Sequence, residues 1–316
     1  MASFSPFLDE ISENILYLLS LDSRLQTTQM ARILGVSRRI VENRVEKLRD
    51  EKFIVPLLVR NYAPLIKATV LVKLSKFDEK TIPLLVNLKK TIKLKETLGS
   101  YDILFLIVAN DVKEYEDFLN LINNTFQNSI QNMDIIMHDK ADTMGHKVFC
   151  HDKSLLNRYS FLKYNKSHEM TLEELDLINI LKVSPNISYQ ELMNMTGFNF
   201  KKIKDMMESL VDNNAVRFTT DSDYQKMGIE FHNVLVKINL AKYKEFEKYC
   251  LANKNIHWLK RGSGSWNYIL SIAARNINDF IVITRELRTQ NKNIIMNFST
   301  LISNIHIEEK NNNPNS

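Results

Sequence analysis

Met30-Ala31-Arg32-Ile33-Leu34-Gly35-Val36-Ser37 is answered, 162 residues further on, by Leu192-Met193-Asn194-Met195-Thr196-Gly197-Phe198-Asn199. The flanks repeat at the same offset. Ile15-Leu16-Tyr17-Leu18-Leu19 returns as Leu177-Ile178-Asn179-Ile180-Leu181. Val41, Val45, Leu48 and Ile54 return as Ile203, Met207, Leu210 and Val216. Apolar positions that recur at one fixed offset mark a duplicated unit. Within it, a glycine stands between two stretches of helical periodicity, where a left-handed turn is needed.

Working outward, Leu8, Ile11, Ile15, Leu18 and Leu19 make the apolar stripe of a first helix. Thr27 or Thr28 is placed to cap a second helix ending at Gly35, and Ser37 to cap a third running to about Asp50. A strand over Ile54–Val59 follows, and Pro56 directs it to a sheet edge. The chain then changes period. Lys67–Leu74 reads as strand, Ile82–Lys90 as helix, and Lys93–Leu98 and Asp102–Ala109 as strands joined by Gly99-Ser100-Tyr101. Val112–Phe126 reads as helix and Met133–Met144 as extended. This βαββαβ order is the ferredoxin-like arrangement. The second copy repeats it: strand Val234–Leu240, helix Tyr243–Lys254, strands Ile256–Lys260 and Asn267–Ala274, helix Ile277–Thr289, extended Ile294–Ile307.

The expected fold class is therefore α+β: two copies of a three-helix winged helix-turn-helix domain, each followed by a ferredoxin-like domain. The expected boundaries are 1–62 and 63–146 for the first pair, a linker over 147–168, then 169–222 and 223–309. Residues 310–316, rich in Asn, read as a disordered tail.

Bulk composition narrows the function classes. Of 316 residues, 44% are hydrophobic and 25% charged, the balance of a globular protein. No apolar run reaches the ~18 residues of a membrane helix, and the N-terminus has no secretory pattern. Cys150 and Cys250 match no metal spacing and suit a reducing, cytoplasmic setting. A net charge of +5 leans mildly towards nucleic acid. No Gly-rich phosphate loop, metal-binding His pair or Ser-His-Asp set is evident, so neither a cofactor nor a metal is expected.

The order of these parts, with a Gly-x-aromatic-Asp turn between the central strands, resembles the Lrp/AsnC (feast/famine) family of transcription regulators. The matching residues in copy one are Ile15-Leu16, Arg24, Met30-Ala31, Gly35-Val36-Ser37, Val41, Arg44, Val45, Leu48, Ile54 and Gly99-Ser100-Tyr101-Asp102. In copy two they are Ile187-Ser188, Glu191-Leu192, Gly197, Ile203, Leu210, Gly228 and Gly264-Ser265-Trp266-Asn267. The resemblance implies double-stranded DNA as partner, a small amino acid as effector, and assembly as a homodimer. Since this chain carries two of each domain, an intramolecular pseudo-dimer is the alternative to that homodimer.

Ser37, Arg38, Arg39, Asn43, Arg44 and Lys47 are the candidate DNA contacts of the first reader. From Arg38 to Arg49 five basic side chains face two acidic ones. Arg38 and Arg39 suit guanine and Asn43 suits adenine, with Arg44 and Lys47 on phosphates. A solvated basic face on a protein-binding helix is the other reading of the same residues. The second reader offers Lys201, Lys202 and Lys204 against Asp205 and Glu208; Met206 stands where Arg44 does, and Phe200 where Arg38 does. Lysine gives charge without bidentate base readout, so nonspecific grip or mere packing is expected there. The family usually has glycine after the third helix. Here Lys52 and Asn214 stand there, and Lys52 would carry a cost of ~1 kcal/mol in a left-handed turn.

Through the resemblance, the effector positions are Gly99, Tyr101 and Asp102, then Gly264 and Trp266, with Asn267 lacking the charge of Asp102. A plain β-turn in which Asp102 bonds its own backbone is the other reading. Sirohaem decarboxylases share this architecture and supply an enzyme alternative. They need His and Arg to hold tetrapyrrole carboxylates. Leu94–Phe105 has neither, whereas copy two offers His232, His257, Lys260 and Arg261 near Trp266. A structural or co-regulator protein is a third reading.

Overall fold

The computed structural model describes residues 8–303 except 61–65, 79, 90–92, 159–169 and 214. The first copy runs α1 (Glu10–Leu21), α2 (Thr27–Leu34), α3 (Arg38–Asp50), β1 (Ile54–Arg60), β2 (Ile66–Leu74), α4 (Thr81–Lys89), β3 (Lys93–Gly99), β4 (Ile103–Ala109), α5 (Val112–Phe126) and β5 (Ile130–Thr143). A short helix α6 (Lys153–Arg158) precedes the second copy. That copy runs α7 (Leu172–Val183), α8 (Tyr189–Thr196), α9 (Phe200–Asp212), β6 (Val216–Ser222), β7 (Glu230–Ile238), α10 (Tyr243–Ala252), β8 (Ile256–Gly264), β9 (Tyr268–Ala274), α11 (Ile277–Gln290) and β10 (Ile295–Ser303).

The chain divides into two compact units that cut across the repeat. One holds Met1–Ala63 with Asp142–Ile229, and the other Pro64–Ala141 with Glu230–Ser316. Each unit thus gathers the like parts of both copies.

In the helical unit each reader packs three helices around a small core. Gly35 and Gly197 end α2 and α8 at φ +66° and +71°, where a Cβ would be strained. Contrary to the expected cap, Thr27 lies inside α2; Gln26 takes the cap position, and its N–H donates to Gln29 Oε1 at 3.2 Å. Lys52 sits at φ 55°, the left-handed turn its place predicts, while Asn214 lies outside the described residues.

The two readers are joined by an antiparallel ribbon of β1 with β6. Leu57 pairs Thr219, and these two positions are 162 residues apart, the repeat offset itself. Ile54 pairs Ser222 and Arg60 pairs Val216. The pairing is therefore isologous, as across the two-fold of a dimer, but made by one chain. Each reader gives one strand to this shared wing. Arg24 adds a staple: its guanidinium donates to the carbonyls of Pro185 at 2.7 Å and Ile187 at 3.0 Å, and lies over the Tyr189 and Phe218 rings. Its counterpart in copy two is the exposed Asn186, so the staple runs one way.

The stretch expected as a linker from 147 is partly built into this unit. Met144, Phe149, Cys150 and Leu155 are buried, as are His146 and Lys147. His146 N–H donates to Ser20 Oγ at 2.8 Å, and its ring meets Ser222 Oγ at 3.0 Å and the Tyr224 hydroxyl. His151 meets Glu13 of α1. Residues 159–169, and the tail expected at 310–316, lie outside the described residues.

In the sheet unit eight strands close into a barrel in the order β10-β3-β4-β2-β5-β8-β9-β7. Each copy contributes the four-strand order expected of βαββαβ, and the fourth strand of each copy meets the second strand of the other. One face of the copy-one sheet buries Val70, Val72, Ile103 and Phe105 beneath α4 and α5. The other faces inward with Leu71, Leu104 and Ile136, where Leu235, Ile269 and Leu301 meet them.

Candidate nucleic-acid interface

Helix α3 has the two faces a reader needs. Val41, Val45 and Leu48 are buried at 0%, 4% and 3% exposure. Arg38, Arg39, Asn43, Glu46 and Arg49 lie exposed on the other side. Ser37 Oγ accepts the Ile40 N–H at 3.4 Å and fixes the start of the helix. Arg38 Nε donates to Glu42 Oε1 at 2.7 Å; this exposed i,i+4 pair is worth only ~0.3–0.5 kcal/mol and yields readily to a stronger acceptor. Arg39 and Asn43 project from the same N-terminal half.

Arg44 stands differently. Its Nη2 donates to Asp9 Oδ2 at 2.6 Å, and Asp9 is also the cap of α1, accepting the Ser12 N–H at 2.9 Å. Burial pushes the Asp9 carboxyl up, but the Ser12 bonds and the Arg44 charge outweigh it and hold it below its usual range. The side chain expected on a phosphate therefore also ties α3 to the start of α1. Lys47 is half-buried further along the helix.

Helix α9 has the same framework with another face. Ile203, Met207 and Leu210 are buried, and Asn199 Oδ1 accepts the Lys202 N–H at 2.9 Å. Lys201 is exposed. Lys202 Nζ is drawn to Glu173 at 2.5 Å and lies 3.9 Å over the Phe198 ring. Lys204 approaches Glu208 at 3.6 Å. Phe200 is 50% exposed and packs on Tyr189, ring centroids 5.0 Å apart.

The Gly-x-aromatic-Asp turns belong to the barrel. Gly99 (φ +141°) and Gly264 (φ +145°) press on the facing strand: a Cβ would overlap the carbonyl oxygen of Thr300 in one case and of Ile135 in the other. Those partners are 165 residues apart, like the glycines. Asp102 does not bond its own turn. It accepts the Leu74 N–H at 2.8 Å and pairs Lys73 at 2.7 Å. Asn267 keeps the first bond, accepting the Ile238 N–H at 3.0 Å, without the ion pair. Tyr101 and Trp266 are both buried; the indole N–H donates to the Tyr101 hydroxyl at 3.3 Å, and that hydroxyl donates to Asp134, which also accepts from Ser265. Burial, and then the hydrogen bond to Asp134, raise the Tyr101 pKa and keep it a donor. The sequence did not single out Asp134, because no periodic or motif signal marks a carboxylate whose partners lie on other strands.

The residues of the tetrapyrrole alternative are engaged with other side chains of the sheet unit. Arg261 pairs Asp139 at 2.9 Å and Glu247 at 3.2 Å, His232 packs on Phe280, and His257 on Phe231. Lys260 Nζ lies 4.8 Å from the Trp258 ring centre. His138, also unforeseen, bonds Thr69 Oγ1 at 2.7 Å; burial, with Lys260 second, lowers its pKa to about 4. Among the described residues no group of three or more His, Cys, Asp or Glu is placed to hold a metal, and no helix is long and apolar enough to cross a membrane.

Comparison with known proteins agrees with this geometry. Residues 8–49 match the AsnC-type helix-turn-helix domain family. The HTH-type transcriptional regulator FL11 of Pyrococcus horikoshii is 28% identical over 123 residues, 37% of this chain and 81% of that protein. Its Pyrococcus furiosus counterpart is 25% identical over the same length. Among solved structures, the siroheme decarboxylase NirDL superposes with a TM-score of 0.59 over 93% of this chain and 91% of its own, at 12% identity, a likeness of fold. The chain therefore carries an AsnC-type helix-turn-helix domain over residues 8–49.

Proposed function

We propose that this chain is a DNA-binding transcription regulator in which one polypeptide supplies the pair of readers that two subunits supply elsewhere. The observation that carries it is α3: arginines 38 and 39 and Asn43 stand exposed at the capped N-terminal half of a helix whose back is buried. Residues there reach base edges when such a helix enters the major groove. The isologous β1–β6 ribbon supports a chain that acts as its own dimer.

The test is fluorescence anisotropy with duplex DNA across a salt series. Affinity should fall steeply with salt, the slope should be shallower in Lys47→Ala, and Arg38→Ala/Arg39→Ala should lose affinity and sequence preference. No binding at low salt would overturn the proposal. A small amino acid at the barrel turns would have to displace Lys73 from Asp102; titration calorimetry with an amino-acid panel decides that question. The NirDL-like fold raises a tetrapyrrole reading, but Arg261, the arginine it would use, is paired twice. A Soret band on mixing with haem would favour that reading.

A further inference from the structure

The second reader is not simply a weaker copy of the first. Its helix opens on Phe200, the position Arg38 holds in α3. That phenyl ring is half in solvent, yet it is not loose. It packs at 60° against Tyr189, whose own ring lies beneath the Arg24 guanidinium at 5.5 Å. Arg24 is in turn anchored by two backbone carbonyls. A chain of fixed contacts thus holds an exposed aromatic group at the tip of a helix flanked by Lys201 and Lys204.

A phenyl ring offers no hydrogen bond to a base edge. In the major groove its one distinctive partner is the thymine C5-methyl group. The nearby lysines supply phosphate attraction that any sequence satisfies. Across the dyad at Leu57–Thr219, α3 presents guanidinium groups suited to guanine.

Resting on the DNA-binding reading above, we propose that the chain recognises a site of two unlike halves, the second set by Phe200 against a thymine methyl. The protein therefore binds in one orientation.

The experiment begins with selection of duplexes from a randomised pool by the full chain. The expected site is asymmetric, with guanine in one half and thymine in the other. Replacing that thymine by deoxyuridine removes only the methyl group and should weaken binding about 4-fold, the worth of one buried methyl. Phe200→Ala should lose a similar factor and then ignore the replacement, while Phe200→Leu should stay sensitive to it. Phe200 is exposed, so these variants should keep the wild-type helical circular dichroism. A symmetric site, a second half without preference, or equal uridine sensitivity in wild type and Phe200→Ala would overturn the proposal while leaving DNA binding intact. Failure of the wild type to bind any duplex would overturn the underlying reading as well.

Discussion

Helices α3 and α9 are the same device with different tips. Both are thirteen residues long, both are capped by a side chain at the residue before them, and both bury three apolar residues at matching positions. What differs is outside the core: two arginines and an asparagine against a phenylalanine and three lysines. The difference teaches that in this chain the framework and the recognition face have separate constraints. Core packing fixes the first, while the second is free to differ between the copies.

The largest expected effect tests the framework. Gly99→Ala and Gly264→Ala each force a Cβ onto a facing carbonyl at a φ that side chains rarely adopt. Each should cost about 3 kcal/mol or more in urea denaturation. A mild effect at one and not the other would show that the two barrel seams are unequal.

Next comes the contrast of faces. Arg38→Ala/Arg39→Ala should weaken binding to a selected duplex about 100-fold, as loss of bidentate base contacts does. Lys201→Ala/Lys202→Ala should cost less than about tenfold, as loss of phosphate contacts does. Equal losses would break the division between the readers.

The one-way staple gives a third comparison. Arg24→Ala removes two charge-assisted bonds and two ring contacts and should cost about 2 kcal/mol in thermal unfolding. Asn186→Ala, at the equivalent exposed position, should change nothing measurable.

His138 has no histidine counterpart, since copy two places Ser303 there. With its folded pKa lowered to about 4, the unfolded chain takes up a proton first as pH falls. Stability should be lost between about pH 6.5 and 4, by about 1–2 kcal/mol after allowance for partial solvent contact, and His138→Gln should flatten that stretch of the profile. An unchanged profile would remove His138 from the account. The smallest effect is at Lys52, where Lys52→Gly should gain about 1 kcal/mol by relieving the left-handed turn.

Element order was legible because duplication wrote each periodicity twice and because local signals, such as Gly35, Ser37 and Pro56, act within a few residues. Long-range partners were not legible in that way. That β1 meets β6, and that the two sheets close on each other, depends on pairings between residues far apart in the chain. For Asp102 the sequence offers an effector position or a self-bonded turn, and only the neighbouring strand reveals the Leu74 N–H and Lys73 that it holds. The 147–168 stretch reads as polar because Lys147, His151 and Lys153 interrupt Phe149, Cys150 and Leu155, yet burial of Lys147 needs acceptors that only the fold brings near. On the reader, the exposed face of α3 was predictable from helical spacing, whereas the Arg44–Asp9 tie joins residues 35 positions apart.

The dyad at Leu57–Thr219 has a consequence for heredity. When two identical subunits form such a pair, one codon writes both arms, and every change appears twice. Here each arm has its own codons, so a change at position 38 leaves position 200 untouched. The exchange of arginine for phenylalanine between those positions is an inheritance that a symmetric dimer has no means to record.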